Sequence, residues 1–217
     1  YQVIIPSSVE SGRAAISKGC LKLAGKFALK NVLALKDIVS TAAPLIGIEP
    51  SCILSFRDEY PDLVPSEMRD EALALAENCL LYDEFIMREV DAGRIRPEQF
   101  EQASVDIWLH GHCHQKALVG VEKTAAALRL IRGAEVHVIP SRCCGMAGSF
   151  GYEAEHYKTS LAIGETVLFP AVRKAVASAG VRPALVAAPG TSCRQQIMDG
   201  TGVRAVHPIV ILEKYLK

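Results

Sequence analysis

Hydrophobic and polar positions alternate in blocks along the chain, and the blocks differ in period. Short apolar runs of about five residues, rich in Val, Ile, Leu and Ala, predict buried strands. Longer stretches with apolar residues three or four positions apart predict helices that cover a core. The predicted strands are residues 2–6, 45–49, 105–110, 136–140 and 184–188.

The predicted helical stretches lie between these strands. They are residues 12–40 with a break near Gly25 or Asn31, the segment through Arg57, and residues 66–91, 121–132, 152–179 with a break at Pro170, and 208–216. Strands that alternate with helices favour an α/β fold, in which helices cover both faces of parallel sheets. In such sheets ligands bind beyond the carboxyl ends of the strands.

A weak internal repeat divides the pattern into two halves. The charged segment 93–104, which contains a proline, is the best internal boundary. Strand 2–6 leads to Ser11-Gly12 much as strand 136–140 leads to Cys144-Gly145. We therefore predict two tandem βαβ-type repeats, residues 1–100 and 101–217.

Composition excludes several classes of protein. The 24 basic and 24 acidic residues cancel, so we expect no nucleic-acid partner. No apolar run approaches the ~20 residues that a membrane span needs, and the 50% of hydrophobic residues exclude a disordered chain. The chain starts without Met inside a strand-like run, and we expect it to be a piece of a longer polypeptide.

The seven cysteines are unevenly placed. An odd count in a chain of this length does not fit a small disulfide scaffold. Cys20 and Cys79 fall in helix-patterned stretches, and we expect both to be buried core thiols. The other five follow strand-like runs and indicate a thiolate site in a reducing compartment: Cys52, Cys113, Cys143, Cys144 and Cys193.

The strongest candidate for chemistry is the pair Cys143-Cys144, followed by a glycine-rich loop. Neighbouring cysteines in extended backbone point in opposite directions, so an iron–sulfur cluster accommodates both more readily than a single zinc ion. The loop glycines Gly145, Gly148 and Gly151 leave backbone N–H groups available to sulfide or another anion. A phosphate-binding turn with incidental cysteines is the alternative, although the spacing differs from the dinucleotide motif.

A second candidate is the stretch 110–114, with the sequence HGHCH. On an extended chain His110, His112 and His114 project together and Cys113 opposes them, although a satisfied polar strand end is the simpler alternative. Strands 105–110 and 136–140 are joined by one helix and are therefore expected to be neighbours. Four thiolates then meet at one edge of the sheet: Cys113, Cys143, Cys144 and Cys193.

Three stretches resemble the CCG, or cysteine-rich, domain family: 112–117 (HCHQKA), 143–148 (CCGMAG) and 191–194 (TSCR). That family includes a subunit of heterodisulfide reductase and the iron–sulfur subunit of glycolate oxidase. The resemblance is greater to a branch in which two CCG repeats end a long FAD-linked oxidase with a ferredoxin-like segment. Enzymes of that branch act on D-2-hydroxy acids such as lactate or 2-hydroxyglutarate.

The resemblance implies the C-terminal electron-transfer module of an FAD-linked 2-hydroxy-acid dehydrogenase. It implies a 4Fe–4S cluster on Cys113, Cys143, Cys144 and Cys193, with zinc as the alternative metal in an isolated fragment. FAD belongs to the missing part of the chain, so the fragment alone is expected to be inactive. The implied partners are the flavin and ferredoxin-like domains of the same polypeptide and an electron acceptor. The implied location is cytoplasmic, with peripheral attachment at the inner membrane as a variant.

The chain departs from the family at two places. Glu10-Ser11-Gly12 stands where the first repeat has Cys-Cys-Gly, and Gly190 stands where a closing C-x-x-C begins. We expect an additional ligand, or a residue that supports the ligands, among four candidates: His110, His112, His114 and Cys52. Two other functions stay open, namely a structural zinc or vestigial metal module that docks the flavin domain, and a thiol–disulfide redox domain.

Overall fold

The computed structural model describes residues 1–6, 10–178, 180 and 182–217. The chain divides into two units, the first made of residues 1–47 and 52–80 and the second of residues 48–51 and 81–217. The fold is mixed α/β, as the alternating pattern predicts. The predicted helix end at residue 179 falls outside the described residues.

The first part of the chain is mainly helical. Its elements are α1 (Arg13–Ser17), α2 (Leu21–Leu35), β1 (Leu45–Gly47), α3 (Pro50–Asp58), α4 (Tyr60–Leu63), α5 (Arg69–Glu77) and β2 (Cys79–Leu81). Strands β1 and β2 pair in a two-stranded sheet. Helix α2 buries one face, with Ala24, Ala28 and Val32 fully covered, and packs on α4 and α5.

The second unit contains a three-stranded parallel sheet with the order β4-β3-β5. Its elements are α6 (Tyr82–Asp91), β3 (Gln102–Leu109), α7 (Cys113–Leu118), α8 (Glu122–Leu128), β4 (Arg132–Val138), α9 (Tyr157–Thr166), α10 (Leu168–Ala177), β5 (Ala184–Ala187), α11 (Thr191–Thr201) and α12 (Pro208–Lys214). Ile107 in the central strand pairs with Val136 of β4 and Leu185 of β5. The prediction that strands 105–110 and 136–140 are neighbours is confirmed.

Strand β3 contributes to a hydrophobic core on each of its faces. Ile107 and Leu109 are buried with residues of α8 and α12. Trp108 points to the opposite face, where it packs against a core that contains Phe169 of α10 and Ile197 of α11. This alternation is the period of two that a strand imposes. Helices therefore cover both faces of the sheet and leave its carboxyl edge for the loops.

Several boundaries differ from the sequence-based predictions. The described residues 1–6 form no strand, because the apolar run has no strand beside it among the described residues and its side chains are exposed. The predicted helix 12–40 breaks at Gly19, which adopts a φ of 69°, rather than near Gly25 or Asn31. The predicted helix 66–91 is interrupted by β2, whose three residues are too few to show a strand period.

The helical stretch after the glycine loop also breaks at a different residue. The interruption is at Val167, whose φ of −145° lies outside the helical region, and not at Pro170. Pro170 lies in the first turn of α10, where the missing N–H has no intrahelical partner to lose. The helical stretch does break, as predicted, but three residues before Pro170, and the proline lies in the new first turn.

The two cysteines expected in the core behave differently. Cys79 is fully buried in β2, and desolvation raises the pKa of its thiol to about 12. Cys20 is exposed and precedes the first residue of α2, so the prediction of a buried thiol is wrong there. The helix starts later than the periodicity suggests, and this start moves Cys20 out of the packed face. In the described part of the chain, no helix is long and apolar enough to cross a membrane.

We predict that Gly200→Ala destabilises the second unit. A Cβ at position 200 would overlap the ring of Phe169, which is fully buried between α10 and α11. Overpacking of this kind costs about 1–3 kcal/mol of unfolding free energy. Urea unfolding measures the loss, and Phe169→Leu combined with Gly200→Ala should recover part of it because the smaller side chain makes room. Unchanged stability of the single variant would contradict this packing.

Candidate metal centre

Each strand of the parallel sheet delivers cysteine to the same edge. Strand β3 is followed by α7, which begins at Cys113. Strand β4 is followed by the loop with Cys143 and Cys144, and β5 by α11, which carries Cys193 near its start. Because the strands are parallel and adjacent, these four side chains share the carboxyl edge of the sheet.

The four sulfur atoms form a continuous line of contacts. The thiol of Cys143 hydrogen-bonds with those of Cys113 and Cys144, and Cys144 in turn with Cys193. Cys193 also contacts the imidazole of His110, and one ring nitrogen of His110 lies within 4.8 Å of the sulfurs of Cys144 and Cys193. We call these five residues the thiol line. The geometry brings together the four cysteines that the sequence analysis selects.

The pKa values of the four thiols in the thiol line are shifted in opposite directions. The hydrogen bond from Cys113 holds the pKa of Cys143 far below its usual range, and the bond from Cys144 does the same for the pKa of Cys193. The same bonds to Cys143 raise the pKa values of Cys113 and Cys144. These opposite shifts favour the thiolate, the form of cysteine that binds metals, at Cys143 and Cys193.

Backbone N–H groups of the glycine loop point at the sulfurs. The N–H of Gly145 donates to the sulfur of Cys143 over 3.3 Å, the N–H of Ala147 donates to the same sulfur, and that of Met146 donates to Cys144. This arrangement needs unusual backbone angles, with φ of 105° at Gly145 and 40° at Ala147. The loop therefore supplies donors to negative charge, as a nest of backbone amides does.

The three loop glycines have distinct roles. A Cβ at Gly145 would overlap the carbonyl oxygen of Ser160, and one at Gly151 would lie 2.5 Å from the Ser160 hydroxyl. Gly148 adopts a φ of 68°, in the left-handed region that favours glycine. Close packing on α9 fixes two of the positions, and backbone conformation fixes the third. The helix does not follow the loop directly, because a 3₁₀ turn at Phe150–Tyr152 separates them.

Lys116 connects α7 to the cysteine loop, and the sequence analysis does not select it. Its Nζ donates to the carbonyl oxygens of Ser141 and Arg142, directly before Cys143. Burial lowers the pKa of Lys116, while the four neighbouring cysteines act in the opposite direction. Only its position three residues after Cys113, on the same helix face, could have indicated this contact.

The histidines do not project together as predicted. Helix α7 starts at Cys113, so the extended backbone assumed for residues 110–114 ends at His112. His112 caps the helix by accepting the N–H of His114 over 3.2 Å, and its burial lowers its pKa. His114 is the second residue of α7 and is half-buried, whereas His110 is fully buried beside Cys193.

A buried polar network lies behind α7. The Nε2 of Gln115 donates to Asp83 over 3.2 Å and to Thr124 over 2.7 Å, and the Thr124 hydroxyl donates to the same carboxylate. Burial raises the pKa of Asp83 even though the Thr124 hydroxyl and the backbone N–H of Glu84 act against the shift. The network connects α6, α7 and α8, and so fixes the helix that begins at Cys113.

Glu49 is a further residue that the sequence analysis does not assign. Its carboxylate accepts the N–H of Thr191 over 2.8 Å and the Thr191 hydroxyl over 2.9 Å, at the N-terminus of α11. A carboxylate there compensates the partial positive charge of the helix N-terminus. Glu49 therefore stabilises the first turn of the helix that carries Cys193. Cys52, three residues later, belongs to the first unit.

In the first half of the chain, the loop that corresponds to the cysteine pair is held by hydrogen bonds from side chains to its backbone. Asn31 donates to the carbonyl oxygen of Glu10 over 3.0 Å, and the Tyr60 hydroxyl donates to that of Ser11 over 2.8 Å. Asn31 also donates to the Tyr60 hydroxyl over 2.8 Å. Gly12 adopts a φ of 74° at the end of this loop. Buried side chains thus satisfy the loop backbone among the described residues of this unit.

The structure thus presents an α/β unit with four cysteines and an imidazole at the edge of its sheet, and sulfur and nitrogen of this kind are the donors of metal or iron–sulfur centres. The chain is 30% identical over 206 residues to one of the subunits of anaerobic glycerol-3-phosphate dehydrogenase from Escherichia coli strain K12, and the match covers 94% of this chain and 49% of that protein. It is 32% identical over 219 residues to D-2-hydroxyglutarate dehydrogenase of the same strain, and this match covers 99% of this chain and 20% of that protein.

A further relative is a second D-2-hydroxyglutarate dehydrogenase. The enzyme of Pseudomonas putida is 27% identical over 220 residues, which cover 99% of this chain and 19% of that protein. The chain therefore spans about half or less of the length of these relatives. No protein-family model and no solved structure matches the chain. The chain is similar to a part of larger dehydrogenases, in agreement with its resemblance to an oxidoreductase module.

We predict that Lys116→Met loosens the cysteine loop. The variant leaves the carbonyls of Ser141 and Arg142 without their charged donor, at a cost of about 1.5–3 kcal/mol in unfolding free energy. Urea unfolding measures this cost, and the rate of Cys143 alkylation should rise. Lys116→Gln keeps an N–H donor and should lose less.

Lys123→Met is the matched control for this prediction. Lys123 is an exposed lysine on α8 whose ion pair with Glu84 spans 3.4 Å. Glu84 is buried, but it still accepts the N–H of Leu81 over 3.1 Å when the long contact with the exposed lysine is lost, so the control should lose only about 0.5 kcal/mol. Equal losses in Lys116→Met and Lys123→Met would contradict the role assigned to Lys116.

Proposed function

We propose that the chain is the C-terminal electron-transfer module of an FAD-linked 2-hydroxy-acid dehydrogenase, with an iron–sulfur cluster on Cys113, Cys143, Cys144 and Cys193. The observation that carries the proposal is the contact between these four sulfurs at one edge of a parallel sheet. The similarity over nearly the whole chain to part of D-2-hydroxyglutarate dehydrogenase supports the substrate class.

The sulfur atoms of these four cysteines are suitable donors for an iron–sulfur cluster. Thiolates are the protein ligands of 4Fe–4S clusters. Backbone N–H groups already point at the sulfurs of Cys143 and Cys144, and hydrogen bonds of this kind set the reduction potential of such centres. When bound, the cluster would supply one-electron transfer.

The protein groups around the sulfurs have separate tasks. Lys116 places a cation near four cysteines and holds the backbone before Cys143. Cys144 and Cys193 are almost completely buried, which excludes water from that end of the line, whereas Cys113 is exposed. These features favour a centre that exchanges electrons at its Cys113 end and is protected at the other.

The remaining parts of the proposal concern partners and location. The hydride chemistry requires a flavin, and we place FAD and a ferredoxin-like segment in other parts of the same polypeptide. An electron acceptor then oxidises the module. We place the protein in the cytoplasm, with peripheral attachment at the inner membrane as the variant. The name of the glycerol-3-phosphate relative is compatible with a dehydrogenase complex built from several subunits.

A structural zinc site is the second candidate function. The ring nitrogen of His110 and the sulfurs of Cys144 and Cys193 all lie within 4.8 Å of one another, a spacing that also fits one ion. In a tetrahedral zinc site the metal–sulfur bonds are about 2.3 Å, so the ligand atoms lie close together. In this case the module would dock the flavin domain without transferring electrons.

Metal analysis of the anaerobically purified full-length protein separates the two functions. A 4Fe–4S centre gives about four iron and four sulfide per chain. Zinc at about one per chain without sulfide would support the structural site and overturn the electron-transfer proposal. A protein free of both metals, in which Cys143 and Cys144 oxidise reversibly to a disulfide, would support the thiol redox alternative.

We predict that Cys143→Ser removes most of the iron and the reduction of the acceptor. A serine hydroxyl is not deprotonated at neutral pH and is a poor ligand for soft metal centres. Cys20→Ser is the matched control, because Cys20 is an exposed thiol outside the thiol line. It should keep the iron content of the parent. Unchanged iron in both Cys143→Ser and Cys144→Ser would contradict the ligand assignment.

A further inference from the structure

His110 holds the buried end of the thiol line in a fixed position. It follows β3 directly, and its backbone N–H donates to the carbonyl of Ala187 in β5 over 2.8 Å. Its side chain is completely buried, and one ring nitrogen lies within 4.8 Å of the sulfurs of Cys144 and Cys193. The imidazole therefore belongs to the site by position and by contact.

The two ring nitrogens of His110 are in different surroundings. Nδ1 lies 2.6 Å from the hydroxyl oxygen of the buried Ser141. Nε2 is buried and has no nitrogen or oxygen hydrogen-bond partner among the described residues. A buried nitrogen is unfavourable unless another group binds it, and the sulfur of Cys193 is the neighbour of the imidazole on this side. Because Ser141 occupies Nδ1, Nε2 is the nitrogen left for the sulfur side.

Ser141 is itself held in place. Its carbonyl oxygen accepts the Nζ of Lys116, so the residue that orients His110 is connected to the helix that begins at Cys113. Metal-binding histidines commonly donate their second ring N–H to an oxygen, which fixes the tautomer and the ring orientation. The distance of 2.6 Å between Nδ1 of His110 and the Ser141 hydroxyl oxygen is the spacing that such a hydrogen bond requires.

The other candidate residues are engaged elsewhere. Nδ1 of His112 caps α7, and its ring carbon Cδ2 would lie 2.5 Å from a Cβ built on Gly190. The same Cβ would lie 3.1 Å from the sulfur of Cys193, so position 190 has no room for a side chain. His114 lies on α7 and is only half-buried.

We propose that His110 binds the metal centre through Nε2, with Nδ1–H donated to Ser141. The inference rests on the proposed function and extends it, because it makes the centre a mixed sulfur and nitrogen site. His110 is then a fifth protein ligand beside the four cysteines. A neutral imidazole at that position favours the reduced centre more than a thiolate there would, just as histidine in place of cysteine raises the reduction potential of iron–sulfur centres.

Pulsed electron paramagnetic resonance on the reduced full-length protein, purified anaerobically and labelled with ¹⁵N-histidine, tests the ligand directly. We expect the strong nitrogen coupling of a directly bound imidazole. His110→Asn should lose this coupling, and His114→Asn should keep it as the matched control. His110→Cys supplies a thiolate instead and should keep iron, lose the coupling and show a lower midpoint potential.

Ser141→Ala tests the orienting contact. Loss of the oxygen that orients a metal-bound histidine typically lowers metal affinity by about 10–100-fold. We expect an affinity loss in this range together with weaker nitrogen coupling, while far-ultraviolet circular dichroism shows an intact fold. Unchanged affinity and coupling in this variant would overturn the orienting role of Ser141.

The outcomes distinguish the ligand from the function. A cluster with normal iron and sulfide but no strong nitrogen coupling would overturn the ligation by His110 and leave the electron-transfer function standing. Coupling that disappears in His114→Asn and persists in His110→Asn would also overturn it. A full-length protein without iron and sulfide would overturn the proposed function, and the ligand with it.

Discussion

The parallel pairing of β3 with β4 on one side and β5 on the other is the constraint on which the site depends. Each strand continues into a different segment, and only the common direction of the strands brings these segments to one edge. The hydrophobic cores on both faces of β3 hold this pairing in register. A slip of the register would move the side chains that end the strands and separate the sulfurs.

Gathering thiolates at a buried edge has an electrostatic cost, and the surrounding residues offset it. Like charges in close contact repel, and burial removes the water that would screen them. Backbone amides of the glycine loop, the ammonium of Lys116 and hydrogen bonds between the thiols compensate. The left-handed backbone at Gly145 and Ala147 is part of this compensation, because it turns the amides towards the sulfurs.

Much of this arrangement could be predicted from sequence, because short apolar runs mark the strands of a parallel sheet and cysteines follow them. The start of α7 at Cys113 could not be predicted. The alternating histidines favour an extended backbone from residue 110 to residue 114, whereas in the structure His112 caps a helix that begins at the next residue. The roles of Lys116 and Glu49 depend on contacts between residues far apart in the sequence, which no local pattern encodes. At residues 2–6 the apolar run predicts a strand that the structure does not contain, since a strand also needs a neighbouring strand to pair with.

Exposure along the thiol line falls from one end to the other. Cys113 is exposed, Cys143 is half-buried, and Cys144, Cys193 and His110 are buried. The line therefore has a direction, and small oxidants such as oxygen reach it from the Cys113 end first. In the proposed function, oxidative damage to the centre would begin at that end, and a partner that covers Cys113 would both receive electrons and shield the centre from oxidation.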